Sequence, residues 1–331
     1  MRFLVTIGLA GFLTAGAFAQ GPPPAPAQAP APVKGATTGF MHAIHATNNV
    51  ETTLAFYQDV FGLNTKVQPF ANPGVPLLTN SPGVNLRVAM LRIPGQGFNF
   101  ELTEFTNTER KPAQPRVTDP GAPMMKFFVK DIDAVVAAAK KRNATFITPG
   151  GTPVNGAVFM RDPDGYIVAA VKMDGAPEGP GNVTGSEMVL TVADMDAAMK
   201  FWRDLLGWEF APPVQLTSDA LRTMMGLTGK VGIQSAKATV PGSTARFELL
   251  HFTGVKGTPF DLRVPDPGAS GMAIRVAAIQ ELLPKLKASG VRVISKDQAL
   301  VEWDAKTRNV FVKDPNGLLI ELVGTVTPPA K

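Results

Sequence analysis

The chain repeats itself, and this constrains its fold more than any other feature of its 331 residues. Phe56-Tyr57-Gln58-Asp59-Val60-Phe61-Gly62-Leu63 returns as Phe201-Trp202-Arg203-Asp204-Leu205-Leu206-Gly207-Trp208, an offset of 145. Phe100-Glu101-Leu102 returns as Phe247-Glu248-Leu249, and Asp119-Pro120-Gly121-Ala122 as Asp266-Pro267-Gly268-Ala269, both at 147. Asp162-Pro163-Asp164-Gly165 returns as Asp314-Pro315-Asn316-Gly317, at 152. Four landmarks in one order at nearly constant spacing mark a tandem duplication.

Each half divides again. A short strand at Met41–Thr47 leads into a helix at Val50–Phe61, whose Leu54, Phe56 and Phe61 suit one buried face and which Gly62 ends. Strands follow near Thr65–Pro69, Asn85–Ile93 and Phe98–Phe105. The pattern restarts with a strand at Met124–Val129 and a helix at Ile132–Arg142. Strands near Thr145–Thr148, Ala157–Arg161 and Tyr166–Lys172 complete it. The second half copies this, with strands near Glu187–Val192 and Met272–Val276 each entering a helix. The fold class is therefore α+β, with four βαβββ modules. The boundaries are 40–174 for the first half, a Gly/Pro-rich linker at 175–184, and 185–326 for the second.

The N-terminus reads as an export signal. Arg2 precedes an apolar run from Phe3 to about Leu13, and Ala17-Phe18-Ala19 fits an A-x-A cleavage site. The run is short for a bilayer span and is interrupted by glycines. Residues 1–19 are expected to be removed near Ala19, leaving an exported chain (periplasmic or secreted) without a membrane segment. Residues 20–39 form a Pro/Ala-rich extended spacer. Cysteine is absent, which excludes disulfides, thiolate metal sites and a cysteine nucleophile. The net charge is +5, but the basic residues are scattered and no nucleic-acid footprint forms.

The module order, with the motifs FYQDVFGL, FELTEF and DPDG, resembles the vicinal-oxygen-chelate superfamily, which includes glyoxalase I, extradiol dioxygenases and the bleomycin- and fosfomycin-resistance proteins. The resemblance spans about residues 40–174 and 185–325. It implies two glyoxalase-like open barrels, each made of paired modules around a small-molecule cleft. It also implies a divalent metal held by the first and last strands of the modules.

The family's ligand positions map onto this chain module by module: His42 with Glu101, Met124 with Ala169, Glu187 with Glu248, and Gly271 with Glu321. If modules pair within each half, one site has only His42 and Glu101, and the other collects Glu187, Glu248 and Glu321. If modules are exchanged, the first and fourth collect His42, Glu101 and Glu321, with Gly271 leaving room. The second and third would then hold a degenerate site of Met124, Ala169, Glu187 and Glu248. The exchanged pairing is preferred. One histidine and two carboxylates suit Mn²⁺, Fe²⁺, Zn²⁺ or Mg²⁺, and Glu321 or Glu101 could act as general base.

Plainer roles stand beside these. His45 has the opposite strand parity to His42 and should face the helix layer; His251 is a bystander. Buried glutamates need partners, for which Arg246 and Arg275 are candidates. Lys126, on the face of Met124, could replace a metal charge in the degenerate site. The DPDG and DPNG sequences are turn chemistry. Phe56/Tyr57, Phe201/Trp202 and Met224-Met225 are packing residues.

The expectation is an exported, divalent-metal-dependent enzyme of the isomerase, lyase or oxygenase class, acting on a small oxygenated molecule. A second histidine at a ligand position, typical of extradiol oxygenases, is lacking. The alternative is a metal-free protein that binds a small molecule, as bleomycin-resistance proteins do.

Overall fold

The computed structural model describes residues 36–96, 98–173, 175 and 180–326. The segment expected to be an export signal, and the spacer up to residue 35, lie outside the described residues. The first module comprises β1 (Thr37–Thr47), α1 (Val50–Phe61), β2 (Gln68–Phe70), the one-turn α2 (Val75–Leu78), β3 (Asn85–Arg92) and β4 (Asn99–Thr106). The second has β5 (Pro123–Val129), α3 (Ile132–Lys141), β6 (Thr145–Phe146), β7 (Ala157–Arg161) and β8 (Ile167–Lys172). The third has β9 (Val183–Val192), α4 (Met195–Leu206), β10 (Val214–Leu216), α5 (Asp219–Met224), β11 (Gly232–Thr239) and β12 (Arg246–Thr253). The fourth has β13 (Ser270–Val276), α6 (Ile279–Ala288), β14 (Arg292–Val293), the two-residue β15 (Val301–Glu302), β16 (Thr307–Lys313) and β17 (Leu319–Thr325).

The repeated motif forms the same helix twice, for the same local reasons. Asn49 and Asp194 cap α1 and α4 by accepting the amides of Thr52 and Ala197. Gly62 and Gly207 end the helices in the left-handed region, at φ 70° and 76°. The aromatic pair of each copy then packs on the sheet: Tyr57 meets Phe100 edge-on at 5.4 Å, and Trp202 meets Phe247 at 5.1 Å. Strand β1 starts earlier than the sequence pattern suggests, at Thr37 instead of Met41. The Thr37 hydroxyl donates to Leu206 O at 2.8 Å and accepts from Trp208 Nε1 at 2.9 Å. These bonds tie the end of the spacer into the third module.

The sheets do not coincide with the halves of the sequence. One runs β14-β16-β17-β13-β1-β4-β3-β2 and the other β10-β11-β12-β9-β5-β8-β7-β6. Modules one and four share the first sheet, and modules two and three share the second. The junctions are antiparallel, β1 on β13 and β5 on β9. The first half stays joined through its helical side. There α1 packs on α3, and the turn after β7 docks on the start of α1.

Candidate functional site

The sheet of modules one and four curves around a cavity of about 690 Å³. Its inner end is apolar, built by Ala46, Val75, Leu78, Phe105, Phe311 and Leu319. Phe70 and Trp303 of the lining stack at 5.9 Å, and Trp303 packs against this apolar cluster. His42, Glu101 and Glu321 project from β1, β4 and β17.

Strand register explains how they meet. Ala273 of β13 is the register partner of both His42 and Glu321, so its small side chain separates the two. The ladder slips between Phe40 and His42, a bulge at Met41. An extra residue on one strand re-aims its neighbours, and both Met41 and His42 line the cavity. His42 Nε2 lies 3.3 Å from Glu101 Oε2 and 3.8 Å from Glu321 Oε2. The other oxygen of each carboxylate is occupied. Thr103 donates its hydroxyl to Glu101 Oε1, and Asn309 Nδ2 donates to Glu321 Oε1 at 2.7 Å. His42 Nε2 therefore stands between two carboxylate oxygens, one from β4 and one from β17. Burial, opposed by His42 and reinforced by Glu101, pushes the Glu321 carboxyl up to about 7. A cation among these atoms would reverse that push. The donor chemistry fits a hard or borderline divalent ion.

The matching positions of the other sheet are filled differently. Glu187 and Glu248 occur on β9 and β12, and Lys126 Nζ lies 3.2 Å from Glu187 Oε2 and also bonds Glu248. Burial alone would lower the lysine, but the two glutamates outweigh it and the net direction is up. Burial likewise works against the Glu248 carboxylate, and Lys126 overcomes it, holding the group below its ordinary range. Lys237 approaches both glutamates from β11. The space beside them is packed with Met124, Phe159, Ile167, Ala169, Val189 and Leu250, closed by Met224 and Met225 at the end of α5.

Several expectations need correction. Glu321 cannot join Glu187 and Glu248, because β17 pairs with β13, which pairs with β1 and not with β9. Among the described residues no arginine partners Glu101, Glu248 or Glu321. Arg246 lies over the Phe128 ring at 4.4 Å, and the guanidinium of Arg275 makes no hydrogen bond or ion pair among the described residues. Gly271 leaves room for Leu319 of the neighbouring strand, not for a ligand: a Cβ there would meet Leu319 O at 2.5 Å. His251 contacts Gln234 Oε1 at 3.2 Å. Asn309 and Thr103 escaped the sequence reading. Neither matches a family ligand position, and the 12-residue separation of Asn309 from Glu321 becomes a contact only through the β16–β17 ladder.

A second cluster, His45 with Asp162 and Asp164, is the tightest group of metal-capable side chains among the described residues. It joins the halves of the first repeat. Asp162 Oδ2 meets His45 Nε2 at 2.8 Å and accepts from Tyr57 OH at 3.0 Å, while Oδ1 accepts the amides of Asp164 and Tyr166. Asp164 accepts from the Asn48 amide and the Thr53 hydroxyl. Burial would lower the His45 imidazole, but contact with Asp162 outweighs it and raises the group. The composition could hold a metal, but the oxygens are already committed to protein donors and the side chains are sealed from solvent. It acts as a buried polar clasp. The DPDG turn therefore does more than reverse the chain.

A family model described as the Glyoxalase/Bleomycin resistance protein/Dioxygenase superfamily matches residues 39–169 and again 186–322. The chain belongs to this superfamily. The described fold, two glyoxalase-like α+β units built from four βαβββ modules, is that of the superfamily. A curated relative, 2-epi-5-epi-valiolone epimerase from Actinomyces sp, is 28% identical over 157 residues, 44% of this chain and 80% of the relative. Two glyoxalase I variants from Zea mays superpose with TM-scores of 0.53 and 0.55 at 17% identity. They cover 86% of this chain and 93% and 92% of theirs. These structures establish the shared fold of this glyoxalase-superfamily chain.

Proposed function

We propose that this chain is an exported, divalent-metal-dependent enzyme of the isomerase or lyase type, with oxygenase chemistry the less favoured class. Its substrate is a small oxygenated molecule taken into the cavity between modules one and four. One observation carries the reading: His42, Glu101 and Glu321, drawn from opposite halves of the sequence, line that cavity together, with His42 Nε2 3.3 Å from Glu101 Oε2 and 3.8 Å from Glu321 Oε2. An epimerase as a curated relative supports proton-transfer chemistry. The export signal read at residues 1–19 supports the location.

His42, Glu101 and Glu321 would hold the ion, which when bound supplies Lewis-acid polarisation of a substrate oxygen. The protein's own part is proton transfer and exclusion of water. Glu321 would take a proton from the substrate on Oε2 when that oxygen leaves the ion, while Asn309 keeps Oε1 fixed. Val75 and Leu78 of α2, with Phe105 and Phe311, exclude water from the inner end.

The test is elemental analysis of the mature protein purified without tag or chelator, beside His42→Ala and Glu321→Ala. A single tightly held divalent ion per chain, lost in both variants, is the expected result. An ion lost only in Glu321→Ala would remove His42 from the site. No ion after reloading with Mn²⁺, Fe²⁺ and Zn²⁺ would overturn the metalloenzyme and favour a metal-free binding protein.

A further inference from the structure

The ladder that sets the metal-site row also sets a second row beside it. Phe311, Glu321, Ala273 and His42 are successive register partners across β16, β17, β13 and β1. Two residues along β16, β17 and β13, and three along the bulged β1, Asn309, Val323, Arg275 and Gly39 are partners in the same order. Partners in register share a face, and two residues of strand advance about 7 Å. Asn309, Val323 and Arg275 accordingly line the same cavity as His42 and Glu321.

Two groups in this second row lack partners. Asn309 is 2% exposed, and its amide is committed to Glu321. Its Oδ1 has no hydrogen-bond partner among the described residues. A buried acceptor left unmade costs about 1–3 kcal/mol, so an orphan in a residue that lines a cavity calls for a partner. Donation to the Glu321 carboxylate requires the NH₂ on that side, so the orphan is the carbonyl oxygen. Arg275 is the other group. It is exposed at the cavity wall and its guanidinium is unpaired. Its side chain runs beside Gly39, where an added Cβ would come within 4.0 Å of Arg275 Cδ. The remaining charged groups of the lining are engaged: Glu101 and Glu321 with His42, and Asp304 with the amides of Lys306 and Thr307. In the other sheet, the place of Arg275 is taken by Phe128, covered by Arg246.

We infer that this row is a substrate-recognition row, and that the cavity takes a hydroxylated small molecule bearing one anionic group. Arg275 pairs the anion, a carboxylate or a phosphate. Asn309 Oδ1 accepts a hydroxyl, and the apolar inner end receives the rest of the carbon skeleton. The anion sits about 7 Å along the strands from the reacting centre, the spacing of the two rows. This assignment deepens the proposed function and rests on it for the position of the reacting centre.

The test uses the full-length mature protein and a panel of hydroxy acids paired with their amides, with polyols paired with their phosphates. Binding is read by thermal shift and by quenching of Trp303, with metal content measured on the same samples. Acids or phosphates should bind at least tenfold more tightly than their neutral partners. Arg275→Gln should erase the preference without loss of metal, and Arg275→Lys should restore part of it. Asn309→Leu should weaken hydroxy acids but not the matching deoxy acids. Carboxylates binding in preference to phosphates, or the reverse, identifies the anion. Hits that are neutral, anions that bind Arg275→Gln as well as wild type, or a panel without any anionic hit would overturn the recognition row. An anion preference that depends on Arg275 in a protein unable to hold metal would instead overturn the metal reading alone.

Discussion

Two glutamates face into each sheet, Glu101 and Glu248 at matching positions, Glu187 where the other sheet has His42, and Glu321 where the other has Ala169, yet the two places have become different things. Between modules one and four they face a histidine, an alanine and an open cavity. Between modules two and three, a lysine stands where that alanine is, and a methionine-lined core closes over it. Burying carboxylates always requires compensation. The second sheet carries the compensating charge in its own sequence, and the first does not. A fixed internal cation makes a stable wall, whereas its omission leaves charge that only a guest can balance. The bulge at Met41 is also confined to the first sheet, since Glu187 and Ser186 pair with Lys126 and Phe127 without a slip.

The largest expected effect comes from moving the lysine. Ala273→Lys places an ammonium at the ladder position of Lys126, among His42, Glu101 and Glu321. Metal retained after dialysis should fall at least tenfold while unfolding stays cooperative. Undiminished metal would show that something other than the built-in cation separates the two sites. The reverse experiment is Lys126→Met. It strands Glu187 and Glu248 in a packed core and should cost about 3–5 kcal/mol in urea unfolding. Adding Glu187→Gln and Glu248→Gln should recover most of that loss, and failure to recover it would point to lost packing instead of charge.

A smaller effect distinguishes the two sites by the sign of their pH dependence. The Glu321 carboxyl is raised from 4.5 to about 7, so its contribution is complete below 4.5 and is lost as pH rises through 7. The shift caps this term at about 3 kcal/mol. Asp314, raised by burial to about 6, acts in the same direction. Glu248 is held below 4.5, so its contribution is present above 4.5 and lost as pH falls through its lowered value. In metal-free protein, Glu321→Gln should therefore flatten the decline between pH 4.5 and 7 and leave the acid limb unchanged. An unchanged decline would remove Glu321 as its source.

Much of this contrast was legible in the residues. The repeated FYQDVFGL and FWRDLLGW segments located two of the helices, and Gly62 marked the end of the first. Counting from the repeats placed His42, Glu101 and Glu321 on cavity-facing positions, and parity placed Lys126 beside the other glutamates. The clasp of His45 on Asp162 was not legible. It links residues 117 apart, and either residue alone reads as ordinary strand or turn. Asn309 was also missed, because its role comes from the oxygen it leaves unpaired and not from the bond it makes. The slip at Met41 was hidden because a strand pattern does not show what its partner strand omits.

Pairing β1 with β13 has a consequence during synthesis. Ser270 reaches back to bond Ile44 across 226 residues of chain. At about 5–20 residues per second, the ribosome needs on the order of 10–45 s to supply that partner. Until then one long edge of β1 has no neighbour, and the cavity behind it lacks a wall. Helix α1 and strand β4 can assemble on β1 early, since they follow within 60 residues of sequence. His42 precedes Glu321 by 279 residues of chain. A nascent chain can thus hold most of its fold before it has a binding site, and a protein truncated before β17 has no complete one.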